Sequence, residues 1–275
     1  MAPMSGVEVL VPLTCGELVQ GVVDDHPFLV SCPIDRFARV RVTINATGEV
    51  SGPPNHPKVL AAVMRTLRYL NHSDVGVTVE VTSPLPRSRG FGTSTADVVG
   101  AVVATARAVG HTLTPEHVGR LAVSVEPSDS TMFPGLALFD YRNGAHGEML
   151  GTAPAMAIVV LDFGGAIDTV RYNARLDREL VRRQNSLHVQ ALALLRDGLA
   201  RRDLAAIGEA APLSACAHSG TALGILAAPD ARYAGDIVGR ARAAFPELVA
   251  AWVAQLGDGG ARTRGPVATC REQQC

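Results

Sequence analysis

Lysine is almost missing from this chain: of its 25 basic residues, all but Lys58 are arginine. That shortage excludes more than any single motif does. A Walker A loop ends its glycines with a lysine, and a protein kinase sets a strand lysine against the phosphates. Lys58, in "NHPKVL", stands in neither context. Schiff-base chemistry on lysine is disfavoured with them. Phosphate handling, if present, is expected to rest on backbone amides, arginine, hydroxyls and metal.

Other absences narrow the field further. The cysteines (Cys15, Cys32, Cys216, Cys270, Cys275) form no CxxC pair, which argues against a disulfide framework or structural zinc and for reduced, mostly buried thiols. The eight histidines form no HExxH motif. Aromatics are only 4%, so the core must be built from Val, Leu and Ala. No apolar run approaches the roughly 20 residues that span a bilayer. The opening "MAPMSGVEVLVPL" has no basic region before its short apolar run, so no signal peptide is expected. With a net charge of −1 and mixed signs, no global field draws nucleic acid or anionic membrane. These features predict a soluble, cytoplasmic protein with no nucleic-acid or membrane partner, and a monomer or homodimer is expected.

What is present is a core-forming chain: 275 residues, 47% apolar and 19% charged. "VEVLVPL", "LVQGVV", "FLVSCPI" and "ARVRVTI" read as four early strands, and "VGVTVEVT" as a fifth. "PKVLAAVMRTLRYL" has helical spacing, a helix is expected from about Thr95 to Val109, and Thr114-Pro115 opens another as N-cap and first helical residue. "GLALFDYRNG" and "GEMLGT" form a hairpin turning at Asn143-Gly144. Beyond Pro154, "AMAIVVLDF" is a buried strand, and the Arg-rich stretch from Leu176 reads as two consecutive helices. "ALGILAA" follows as a strand, and "DARYAGDIVGRARAAF" and "PELVAAWVAQL" as helices. The class expected is α+β in two parts, residues 1–154 and 155–257, with 258–275 a flexible tail.

Four segments carry candidate chemistry. In "RSRGFGTSTADVV", Gly90 and Gly92 permit close approach to a ligand, and Thr93, Ser94 and Thr95 place three hydroxyls at a helix start. Arg87 and Arg89 add charge. The loop reads either as a polyphosphate cradle, with Ser94 able to ligate Mg²⁺, or as an ordinary Gly-rich turn with a Ser/Thr cap. It is not a dinucleotide fingerprint, because Thr95 stands where the third glycine belongs. In "VEPSDSTMFPG", Glu126 and Asp129 lie beside hydroxyls where Pro127 ends a helix. One carboxylate suits a metal and the other a proton-accepting role, or both are turn acids. "AHSGTALG" (217–224) and "PLTCGELVQG" (12–21) are small-residue bends that say little alone.

Together these segments resemble the GHMP small-molecule kinases. Pro86–Ala96 is similar to the central P-x-x-x-G-L-G-S-S-A-A motif of that superfamily. The resemblance is closer to its L-threonine kinases of cobalamin biosynthesis, through "PLTCGELVQG", "SCPID" (31–35), "STAD" (94–97), "EPSDS" (126–130) with "FPGLALFD" (133–140), and "AHSG" (217–220). The resemblance implies a GHMP fold, with an S5-like N-terminal part and a ferredoxin-like C-terminal part, and ATP between them. It implies ATP contacts from Arg89, Gly90, Phe91, Gly92, Thr93, Ser94 and Thr95, with Mg²⁺ held by Ser94 and Glu126. Asp129 would orient or deprotonate the substrate hydroxyl. Glu17, Ser128, His218, Ser219, Gly220 and Thr221 would form the substrate side. The implied reaction is phosphorylation of a small amino acid, L-threonine first. Alternatives are homoserine, another hydroxy acid or secondary-metabolite intermediate, or a nucleotide-binding regulator without turnover. The N-terminal motif lacks the lysine that many superfamily members carry there.

Overall fold

Two long antiparallel strands form the spine: β1 (Val7–Val23) and β2 (His26–Ile44). They absorb the four expected early strands. The register slips between Pro12 and Thr14, between Thr14 and Glu17, and between Glu17 and Val19, so the bend at Cys15-Gly16 is a set of bulges inside one strand. The computed structural model describes residues 6–23, 26–165, 184–213 and 220–264.

β2 is long enough to serve two partners. Its second half pairs with β4 (Val77–Thr82), which also carries the short parallel strand β3 (Val50–Ser51). Its first half pairs with β5 (Leu136–Phe139), which forms the expected hairpin with β6 (Gly147–Gly151); Gly144 takes φ 64 in the turn. On this seven-stranded sheet lies α2 (Thr93–Ala108), buried on nearly every side. Its small residues permit that: a Cβ on Gly100 would stand 2.5 Å from a methyl of Val40 on β2. Burying Val98, Val99 and Val102 here contributes about 1.5–3 kcal/mol each. α1 (Pro57–Tyr69) and α3 (Pro115–Val125) cover α2, and Thr114 caps α3 through the His117 N–H as its sequence predicts.

The second sheet is β8–β7–β9, all antiparallel: β7 (Ala157–Asp162), β8 (Ala222–Ala227) and β9 (Ala250–Gln255). A ferredoxin-like βαββαβ unit has one strand more than these described residues supply. Helices α4 (Asn185–Arg201) and α5 (Leu204–Leu213) follow β7 and pack against β1, sharing the first sheet's apolar core, while α6 (Ala231–Ala244) packs on β7 and β9. Within "PELVAAWVAQL", expected as a helix, residues 250–255 are instead strand β9. Six residues are too few for a 3.6-residue period to be told from alternation, and every one pairs with β7.

Nor does a tail begin at 258. Asp258 accepts the Ala153 N–H at 2.6 Å, the Gly260 N–H reaches the Thr131 carbonyl at 2.8 Å, and β10 (Arg262–Arg264) pairs with β1. The chain thus returns to the first sheet after completing the second; residues 265–275 lie outside the described residues. Cys15 and Cys32 are buried and unpaired as expected, and burial, then the Glu17 charge, pushes the Cys15 thiol up to about 12. The other three cysteines lie outside the described residues.

Candidate active site

The glycine-rich loop between β4 and α2 is held from both sides by backbone bonds. The Thr14 N–H donates to the Phe91 carbonyl (3.0 Å) and the Gly16 N–H to that of Gly90 (3.2 Å), both from the β1 bulge. From the second sheet, the Thr221 and Ala222 N–H groups donate to the Arg89 carbonyl at 3.2 and 3.1 Å. A Cβ on Gly220 would stand 2.9 Å from the Gly90 Cα, so only glycine lets these backbones meet. Phe91 is 1% exposed and its ring centroid lies 5.6 Å from that of Trp252 on β9.

At the loop's end Gly92 is the N-cap of α2, left-handed at φ 61 and with no side chain to cap the helix. The first-turn amides of Thr93, Ser94 and Thr95 therefore open the helix without a side-chain acceptor, at the positive end of its dipole. Ser94 donates its hydroxyl to Glu126 Oε1, and Lys58 Nζ lies 2.5 Å from Glu126 Oε2. Glu126 is the extended C-cap of α3, which brings it beside the α2 N-terminus. The Asp129 N–H donates to Thr95 Oγ1 at 3.2 Å, and the Ser128 hydroxyl to the Glu126 carbonyl at 2.9 Å. Ser130 and Ser31 exchange N–H to hydroxyl bonds at 2.9 and 3.2 Å, fixing the 126–131 segment on β2.

These groups surround a cleft of about 410 Å³. Glu17, Asp97, Glu126 and Asp129 line it, with Lys58 and Arg87 as cations, and it is bounded by Asn55, His56 and Tyr141. Burial and mutual repulsion push three of these carboxyls up. Burial, then the Glu126 charge, raises the Asp129 carboxyl to about 6, against the opposing hydrogen bond from Thr95. Glu17 is pushed well above the carboxylate range by burial and then by Asp129. Asp97, 1% exposed and paired with Arg87, is raised to about 6 chiefly by burial; one of its oxygens has no partner among the described residues.

The expected phosphate residues Gly90, Gly92, Thr93, Ser94 and Thr95 all reach the cleft, as do Glu17, Ser128 and Asp129. Arg89 does not. Its guanidinium turns away to Asp162 at 2.7 Å, where it ties the loop to β7. Phe91 lines the cleft mainly as a packed core ring. Gly220 and Thr221 touch the loop from behind and are not among the cleft's lining residues. His218 and Ser219 lie outside the described residues. Lys58, which the sequence places in no phosphate-binding motif, also lines the cleft. Its sequence neighbours are uninformative, and only the packing of α1 against α3 brings it to Glu126.

Ser94 and Glu126 are hard oxygen donors in mutual contact, and among the described residues no group of three His, Cys, Asp or Glu side chains could hold a metal. A sparse pair of this kind suits Mg²⁺, which keeps waters and takes its remaining ligands from phosphate oxygens. A Cβ on Gly92 would stand 2.5 Å from Asp129 Oδ2 and 2.6 Å from Thr14 Oγ1, so the loop's closeness to the carboxylates depends on glycine.

Residues 57–134 match the family described as GHMP kinases N terminal domain. The L-threonine kinase of Salmonella typhimurium is 35% identical over 208 residues, covering 75% of this chain and 68% of that protein. The chain belongs to the GHMP kinases. A second relative, the L-threonine kinase of Citrobacter freundii, is 33% identical over 218 residues, covering 75% of this chain and 71% of that protein. The homoserine kinase structure from Cytophaga hutchinsonii superimposes with a TM-score of 0.76 at 15% identity, over 96% of this chain and 98% of that one, and so shares the fold. This GHMP kinase is accordingly a small-molecule kinase acting on a small hydroxylated substrate. No helix among the described residues is long and apolar enough to cross a membrane.

Proposed function

We propose that this GHMP kinase transfers the γ-phosphoryl group of ATP, with Mg²⁺, to the side-chain hydroxyl of L-threonine, giving O-phospho-L-threonine and ADP. The observation that carries the proposal is the grouping of Ser94, Glu126 and Asp129 around the uncapped first turn of α2. The identity to L-threonine kinases along three quarters of the chain supports the choice of acceptor.

In this reading the amides of residues 93–95 and the Gly90–Gly92 backbone bind the phosphates. Ser94 and Glu126 hold Mg²⁺, which supplies charge neutralisation on the phosphate oxygens. Asp129 accepts the proton of the attacking hydroxyl. Its raised pKa makes it a better proton acceptor than an ordinary carboxylate, and it is still mostly ionised at neutral pH. The carbonyl-anchored loop and the Thr95 contact hold these groups in place before substrate arrives, which is where a phosphoryl-transfer site gains most of its rate.

The test is ADP release with Mg²⁺-ATP across L-threonine, L-serine, L-homoserine and simple alcohols. The proposal predicts the highest kcat/KM for L-threonine. A clear preference for another acceptor would move the assignment within the family, and no ADP with any of them would reject it for this panel.

A further inference from the structure

Lys58 is unfavourably placed within its own helix. It lies in the first turn of α1, where a cation opposes the helix dipole, and that turn has no acidic residue and no side-chain cap to offset it. All the chain's other basic residues are arginine, so this position is the one that carries a compact ammonium on a flexible stem instead of a planar fork. The side chain is 44% exposed while its partner Glu126 is 12% exposed, so the pair is not buried to support the core. Its ammonium points into the cleft, onto the carboxylate that Ser94 also contacts.

Both Glu126 oxygens are thereby engaged, Oε1 by Ser94 and Oε2 by Lys58. A metal ion held on Glu126 competes with the Lys58 ammonium for that carboxylate, because two cations crowded on one group repel each other. The displaced ammonium would remain among the residues lining the same cleft, beside the open amides of α2, in the region that the phosphates would occupy. We infer that Lys58 is a two-position cation: it neutralises Glu126 in the empty cleft, and on loading it leaves Glu126 and binds the nucleotide's phosphate oxygens. Lys58 thus does the work of a phosphate-loop lysine from a helix outside the loop. The inference rests on the kinase reading above for the identity of the ligand.

The experiment compares wild type, Lys58→Met and Lys58→Arg in two binding titrations that need no turnover. Melting temperature confirms that each variant is folded, as expected for a half-exposed side chain. Mn²⁺ alone, followed by the paramagnetic resonance of the free ion, reads Glu126 without nucleotide. ATP in EDTA reads the phosphate contact without metal. Lys58→Met is expected to bind Mn²⁺ several-fold more tightly, because its competitor is gone, and ATP at least tenfold more weakly. Lys58→Arg, which keeps the charge, should recover most of the ATP affinity. Unchanged ATP affinity in Lys58→Met overturns the inference whatever the metal does, and so does unchanged or weakened Mn²⁺ binding. If wild type itself binds no ATP even with Mg²⁺, the kinase reading fails, a result distinct from two proteins that both bind and bind alike.

Discussion

Arg89 Nη1 lies 2.7 Å from Asp162 Oδ2, joining the glycine-rich loop to the central strand of the second sheet. Asp162 is 3% exposed at its side chain and its other oxygen accepts the Gly164 N–H at 2.9 Å, so the carboxylate is fully engaged. Arg89 is therefore a strut, and the loop's position depends on it. Replacing it by Met strands a buried carboxylate. A fully buried pair loses about 3–5 kcal/mol in this way; the partial exposure of Arg89 lowers the expectation to about 1–3 kcal/mol. Thermal unfolding should show that loss, while ATP affinity in the folded protein falls less than a lost phosphate ligand would require. A tenfold or greater loss of affinity with unchanged stability would return Arg89 to the phosphates.

Gly92 is fixed by conformation and by space. Gly92→Ala puts a side chain at φ 61 and a Cβ 2.5 Å from Asp129 Oδ2. The left-handed backbone alone costs about 1–2 kcal/mol. Because the clash falls on Asp129, kcat should drop further than stability accounts for, as paired melting and steady-state measurements would show.

Ser94→Ala and Glu126→Gln remove the two oxygen ligands proposed for Mg²⁺. Each is expected to lower kcat by about 10²–10³, the scale of losing one preorganised electrostatic contact in a transition state, with little change in melting temperature. Retained turnover in either variant rejects that residue's assignment.

Asp129 gives a pH signature. If it acts as the proposed base, its carboxyl, raised to about 6, works when ionised, so kcat/KM should rise with pH through about 6 and level off above it. Asp129→Asn should abolish that limb together with most of the rate. Stability runs the other way. The native state holds the proton more tightly than the unfolded chain, whose Asp titrates near 3.9. This contribution is thus fully present below about 4 and is lost as pH rises through about 6. Asp129→Asn, neutral throughout, should therefore gain on wild type in melting temperature between pH 4 and 7. A constant difference across that window would contradict the assigned shift.

Much of this was readable in the chain, and the failures share a cause. Gly92, Ser94, Glu126 and Asp129 stood out as candidates because turn, cap and helix-end patterns are local. Those patterns alone fitted an ordinary turn equally well, and only the family resemblance set them together. The Thr114 cap and the Asn143-Gly144 turn were legible because they too are local. Lys58 and Arg89 were misjudged because their partners lie 68 and 73 positions away. No spacing rule tells an arginine facing a phosphate from one facing a buried aspartate. Residues 250–255 read as helix in sequence because their pairing with β7, rather than their own pattern, decides their form. The early strands were found, but whether they were four or two depended on bulges that only the β1–β2 register shows.

The most direct test of the account is to identify the product. Incubation with Mg²⁺-ATP and L-threonine, followed by ³¹P NMR and mass spectrometry, should show one new phosphomonoester on the threonine side-chain oxygen, formed in equal amount with ADP. Release of inorganic phosphate with threonine unmodified, or no consumption of ATP, would contradict it.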